Sequence, residues 1–276
     1  MTDAEDYLPR HLVAELEDAI ASARVVNLIG PRQVGKTTLV RDLFGNGRFI
    51  TLDDAAVLAA IEADPEGQLT SLMENLHHAP LIIDEAQRSK KLALADSLAG
   101  RMRTLKLWPL SVAEVKRAPV SRLMDWAMQK DPKLGQVANP ESVSRSDYID
   151  LILEGGFPET RTLPLRSRQR QYRSAQEINA SELAKLTKLQ RTTVEQYLDI
   201  LIRLSMLTKL GAWTSGEGKR EIKNPKYHFA DSGIACALRR FTEATFTIDN
   251  NPQALGGLLE SFVLNEIQRA IPMQAA

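Results

Sequence analysis

The residues Gly30-Pro31-Arg32-Gln33-Val34-Gly35-Lys36-Thr37-Thr38 fit the pattern G-x-x-x-x-G-K-[ST]. Phosphate binding is the chemistry that needs these types at this spacing. Glycines let the backbone turn tightly, so that several N–H groups converge on phosphate oxygens. Lys36 would reach the β- and γ-phosphates, and the Thr37 hydroxyl would sit on Mg²⁺. A helix starting at Lys36 would add the positive end of its dipole. The stretch from Gly30 to Thr38 is therefore expected to cradle a nucleoside triphosphate carrying magnesium.

A second constellation lies further along the chain, where Leu81-Ile82-Ile83 runs into Asp84-Glu85. An apolar strand ending in two acids, downstream of a phosphate loop, is what a Walker B element looks like. Asp84 would hold the magnesium, directly or through water. Glu85 would orient and polarise the attacking water, because hydrolysis is mainly positioning and electrostatics. The competing reading is that both carboxylates cap the next helix. The loop upstream favours the metal and water roles.

The elements around these residues follow a recognisable order. Val25 to Ile29 is a β-branched run bounded by Gly30, which suits a buried parallel strand. Lys36 to Phe44 reads as the following helix, closed by Gly45 and Gly47. Phe49 to Leu52 and Leu81 to Ile83 read as further strands, with helices over 55–63 and 67–77 between them, parted at Asp64-Pro65. A helix over 9–23 is expected from the period of Leu12, Leu16, Ala19 and Ile20. Strands alternating with helices predict an α/β fold of the P-loop type, with a doubly wound parallel sheet. The alternation fades beyond residue 117, which sets the expected domains at 1–117 and 118–276.

Composition narrows the class. Of the 276 residues, 35 are Lys or Arg and 35 are Asp or Glu, so nucleic-acid binding would need a local patch. The single cysteine, Cys236, excludes an intrachain disulfide and a cysteine-based zinc site, and reads as a small buried residue. His11, His77, His78 and His228 lack metal-ligand spacing. Trp108, Trp126 and Trp213 are expected in cores or interfaces. The acidic start carries no secretory core, and no run approaches the ~20 apolar residues of a membrane span, so a cytoplasmic protein is expected.

Taken in order, several short motifs carry a resemblance. They are Tyr7-Leu8-Pro9-Arg10, GPRQVGKTT, Thr51-Leu52-Asp53-Asp54, Asp64-Pro65, LIIDEAQR at 81–88 and Ser97-Leu98-Ala99-Gly100-Arg101. Trp108-Pro109-Leu110-Ser111, Gly155-Gly156-Phe157-Pro158 and Phe229-Ala230-Asp231-Ser232-Gly233 follow. The chain resembles the prokaryotic AAA-type ATPases in which an ATPase core precedes a C-terminal domain of unknown function. The resemblance implies an AAA-like core binding ATP, a winged-helix segment and a C-terminal region sometimes likened to restriction endonucleases. It also suggests Arg101 as an arginine near the phosphates, acting in cis or across a contact in a homo-oligomer. A surface arginine with a structural partner is the alternative, and Arg88 has a weaker claim of the same kind.

The chain departs from the family pattern in two places. After LIIDEAQR the family has a helix and a strand ending in a polar sensor, whereas here Ser89-Lys90-Lys91 runs almost directly into Leu94 to Ser97. A comparable stretch is missing between Tyr172-Arg173-Ser174 and Ala175-Gln176-Glu177. Both joins fall abruptly inside otherwise well-kept motifs, which favours omitted segments over a degraded paralogue; if the deletions are genuine, nucleotide binding could survive while hydrolysis is lost.

In the second half, Ile178 to Ala184 would open a winged helix and Arg191 to Leu198 would form its recognition-like helix. Leu207 to Leu210 and Lys226 to Phe229 would be the strand pair, with Ser215 to Gly218 as the wing tip. Lys185, Lys188, Arg191, Lys219 and Arg220 would contact duplex DNA on the functional reading. Packing on the ATPase core, or protein binding, is the alternative, since Glu182, Glu195 and Asp199 dilute the positive face. The arginines at 161, 166, 168, 170 and 173 could line a nucleic-acid groove, but a solvated helix face is the commoner explanation. Glu260 lacks the partners of a nuclease metal site.

The leading expectation is a Mg²⁺-dependent ATPase coupling nucleotide state to a winged-helix region. The alternatives are a nucleotide-gated binding module with little turnover and a DNA-binding regulator.

Overall fold

The computed structural model describes residues 8–77, 79–93, 102–121, 123–129, 143–161, 190–211, 225–246 and 252–271. Its contacts group Leu12–Ile29 with Gly35–Leu105, here termed the N-terminal unit. The segments up to His11, Gly30–Val34 and Lys106–Met273 form the C-terminal unit.

In the N-terminal unit, helix α1 (Val13–Ser22) buries Leu16 and Ala19, two of the residues whose period predicts it. Strand β1 (Val25–Ile29), helix α2 (Lys36–Leu43) and strand β2 (Arg48–Thr51) follow. Two helices then start on aspartates. Asp54 accepts the N–H groups of Ala56 and Val57 to open α3 (Ala55–Ala63). Asp64 accepts from Gly67 and, with Pro65 at the first helical position, opens α4 (Pro65–Met73). Each satisfies amides that a helix start leaves without partners.

Strand β3 (Leu81–Asp84) pairs parallel with β2, in a register that sets Arg48 against Leu81 and Thr51 against Asp84. Asp84 thus stands at the carboxyl end of its strand, the edge where α/β sheets place their ligands. Strand β4 (Met102–Lys106) pairs with β1. Among the described residues no ladder joins β1–β4 to β2–β3, so the single doubly wound sheet of the sequence reading is found as two two-stranded ladders. After Arg88 the chain enters a one-turn helix, Lys90–Ala93.

The C-terminal unit begins its core with a one-turn helix, Val112–Val115, held by a capping box between Ser111 and Glu114. A second capping box, Ser144 with Asp147, opens α5 (Arg145–Glu154), which buries Ile149, Ile152 and Leu153. Helix α6 (Arg191–Arg203) packs against β5 (Leu207–Leu210). The latter pairs antiparallel with β6 (Lys226–Phe229), Leu207 facing Phe229. Helix α7 (Ser232–Arg239) is almost wholly buried between α5 and the long α8 (Pro252–Ala270), and carries Cys236 at 2% exposure.

A buried polar cluster ties this unit together. Asp231 is fully buried and accepts hydrogen bonds from Gly156 N–H at 2.5 Å and Gly233 N–H at 2.9 Å. It also pairs with Arg269 at 3.3 Å. Arg269 donates to the carbonyls of Leu110 at 2.9 Å and Ala230 at 3.1 Å, and to Glu266 at 2.8 Å. Glu266 accepts the Val112 N–H in turn. Gly155 has φ +65°, and a Cβ there would meet an Asp231 oxygen at 2.2 Å, so the sequence keeps a glycine. The WPLS, GGFP and FADSG motifs therefore meet at one place.

Lys106 leans over the Trp108 ring at 3.7 Å, and burial lowers its pKa to about 8 from 10.5. The folded chain thus releases this proton first. Between those values the unfolded chain binds more protons, so stability rises with pH across that window. The expected result is a urea midpoint that climbs from pH 7.5 to 9.5 in the unaltered protein and climbs less in Lys106→Met. Equal slopes in the two would refute the assignment.

Candidate nucleotide site

The phosphate loop is one covalent segment whose first and last parts have different neighbours. In the C-terminal unit, Gly30 (φ +154°) passes so close to the Leu107 carbonyl oxygen that a Cβ would sit 2.3 Å from it. Pro31 and Val34 are fully buried. Gln33 adopts φ +63°, a left-handed conformation that costs a non-glycine residue about 1–2 kcal/mol. The Val34 carbonyl accepts a hydrogen bond from Arg10 Nη1 at 2.9 Å.

In the N-terminal unit, Gly35 at φ +97° starts α2, and no side chain caps that start. The first-turn amides of a helix and the positive end of its dipole suit an incoming phosphate. Thr37 Oγ1 donates to Asp84 Oδ2 at 3.0 Å, across 47 positions of sequence. The other Asp84 oxygen accepts the Glu85 N–H at 3.0 Å. Burial lowers the Lys36 pKa, while the Glu85 and Asp84 carboxylates oppose the shift, which puts the ammonium within their field.

Glu85 itself is left-handed, at φ +55°, a strained conformation of the kind that gathers at functional sites. Its carboxylate accepts from the Gln87 side-chain amide. Glu85 makes no side-chain cap on the 3₁₀ turn Ala86–Arg88, so the capping reading has no support there.

Magnesium can be tested against this donor set. Mg²⁺ takes near-octahedral oxygen ligands at about 2.1 Å, which sets adjacent ligands about 3 Å apart, and it is usually held by one or two carboxylates plus substrate phosphates. Thr37 and Asp84 offer a hydroxyl and a carboxylate oxygen at that separation. The residues fit the ion.

The remaining candidates fall out variously. Arg101 lies outside the described residues. Arg88 forms an exposed ion pair with Asp53 at 3.0 Å. Arg161 bonds Glu154 at 2.6 Å and the Gly155 carbonyl at 2.7 Å, whereas Arg166, Arg168, Arg170 and Arg173 lie outside the described residues. So do His78, Trp213, Lys185, Lys188, Lys219, Arg220 and the opening and wing tip of the expected winged helix. Glu260 pairs with Lys226 on the surface. On α6, Arg191 is tied to Glu195 at 2.8 Å, and the exposed large apolar side chains there are Tyr197 and Ile200.

Sequence reasoning passed over Arg10 and Glu114, whose side chains are 5% and 6% exposed and form an ion pair at 3.2 Å. Arg10 lay within the YLPR motif, but no local pattern named its partner.

Residues 22–95 match the model of an AAA domain, and residues 168–245 match that of a domain of unknown function (DUF8612). An uncharacterized protein of Mycobacterium tuberculosis is 28% identical over 296 aligned residues, covering 94% of this chain and 65% of its own length. An uncharacterized protein of Mycobacterium bovis matches to the same extent. The chain therefore spans just under two thirds of those relatives. No solved structure matches. No helix among the described residues is long and apolar enough to cross a membrane. The stretch that matches the AAA domain holds Lys36, Thr37, Asp84 and Glu85 together.

Proposed function

We propose that this chain binds ATP with Mg²⁺ and hydrolyses it. The contact between Thr37 Oγ1 and Asp84 Oδ2 at 3.0 Å carries the reading, because it joins the phosphate loop to the acid that ends β3. Gly30 to Thr38 would supply backbone N–H groups, and Lys36 would neutralise charge on the β- and γ-phosphates. Thr37 and Asp84 would hold the ion, and Glu85 would position the attacking water. The ion, when held there, would supply positive charge to offset that developing on the phosphate. Adenine as the base is supported by the AAA match at 22–95.

The winged-helix reading is supported by α6 packing against β5, which pairs antiparallel with β6. For duplex DNA as its partner, the described α6 surface offers an exposed Arg203, beside exposed Tyr197 and Ile200 and an Arg191 paired with Glu195. A nucleotide-gated binding module with little turnover is a second reading. It is favoured by the absence, among the described residues, of a strand joining the two ladders.

Calorimetric titration with Mg·ATP tests the proposal. The unaltered protein is expected to bind, and Lys36→Ala to lose affinity by ~100-fold or more, a point charge on phosphate being worth several kcal/mol in a part-buried site. No binding by the unaltered protein would end the proposal.

A further inference from the structure

We propose that Arg10 and Glu114 are positioning residues for the phosphate loop, an inference that rests on the nucleotide reading above. Both residues are buried, at 7% and 5% exposure. Burying two charges costs several kcal/mol per ion, and such a pair often adds no net stability over apolar residues of similar volume. A buried pair of this kind invites a role beyond holding the fold.

The guanidinium reaches three separate segments. Nε donates to Glu114 Oε1 at 3.2 Å, Nη1 to the Val34 carbonyl at 2.9 Å, and Nη2 to the Trp108 carbonyl. Glu114 is itself fixed from several sides. Its Oε1 also accepts the His11 N–H at 2.8 Å, and its Oε2 accepts the Ser111 N–H at 2.8 Å within the capping box. The one-turn helix Val112–Val115 thus fixes Glu114, Glu114 fixes Arg10, and Arg10 fixes the Val34 carbonyl.

That carbonyl belongs to the peptide group it shares with Gly35, which is planar and trans. Holding the oxygen toward Arg10 therefore aims the Gly35 N–H the opposite way. Gly30 lodged against Leu107 and the fully buried Val34 side chain hold the first half of the loop at two further points. A lysine cannot reproduce this, because a single ammonium does not span three acceptors held by a planar fork.

The test compares Mg·ATP affinity of the unaltered protein, Lys36→Ala, Arg10→Lys and Glu114→Gln, with amide hydrogen exchange on each. Arg10→Lys is expected to unfold cooperatively yet bind Mg·ATP ~10–100-fold more weakly, the range of loss seen when a supporting partner of a site is removed. Exchange should quicken in residues 34–38 and stay unchanged in α5 and α7. If Arg10→Lys does not fold, Glu114→Gln keeps the side-chain shape and should show the same pattern more mildly. Affinity within twofold of the unaltered protein in the variant that folds overturns the positioning role. If Lys36→Ala has meanwhile lost binding, the nucleotide reading stands without it. Failure of the unaltered protein to bind overturns both.

Discussion

Asparagine in place of Asp231 is expected to lower the unfolding free energy of the C-terminal unit by about 3–5 kcal/mol, the cost of breaking a buried ion pair from one side. Asp231 is fully buried, and its two oxygens serve Gly156 N–H, Gly233 N–H and Arg269 together. An amide turned either way points NH₂ at a group that is itself a donor. The Arg269 guanidinium, with a side chain 6% exposed, would keep Glu266 as its only carboxylate among the described residues. Asp231 is also the N-cap of α7, a position where asparagine serves as well as aspartate. Capping alone would therefore predict almost no change, and the size of the loss separates the two accounts. Urea unfolding at constant m-value measures it. A loss under about 1 kcal/mol would show that the cluster contributes only the cap.

Glutamine in place of Glu85 is expected to leave Mg·ATP binding close to that of the unaltered protein and to slow phosphate release by ~10²–10⁴, the usual worth of a positioned proton acceptor. Binding should persist because Lys36, Thr37 and Asp84 are untouched, and Thr37 keeps its 3.0 Å contact with Asp84. The side chain should stay in place as well, since a glutamine carbonyl can still accept from the Gln87 amide. What the variant removes is the negative charge that would draw a proton from water. Phosphate release equal to that of the unaltered protein would take Glu85 out of the mechanism. Binding without measurable release in the unaltered protein would select the nucleotide-gated module.

Legibility of these features followed how local their physics is. The loop at 30–38 could be read directly, because tight turning, backbone amides and the Lys36 ammonium act within one short segment. The helix over 55–63 and the strand ending at Ile29 were equally local, whereas α4 begins on the Asp64 cap at Pro65 and ends at Met73, where the sequence reading had set 67–77. The sheet was less legible. Its register depends on which strands lie side by side, and among the described residues two ladders stand where alternation alone predicted one sheet.

The sequence by itself determined the phosphate loop, the acid pair Asp84-Glu85 and the alternation of strands and helices around them. The partnerships of buried charge came from long-range packing instead. Arg10 with Glu114, 104 positions apart, and Arg269 with Asp231, 38 positions apart, follow no period or motif spacing. Each of these arginines could in principle answer to any of the 35 acidic residues of the chain. Burial makes the choice: away from water an unpaired charge is prohibitively costly, so the fold must bring one particular carboxylate to each guanidinium. Composition cannot carry that information, because it resides in which segments the packed core sets against one another.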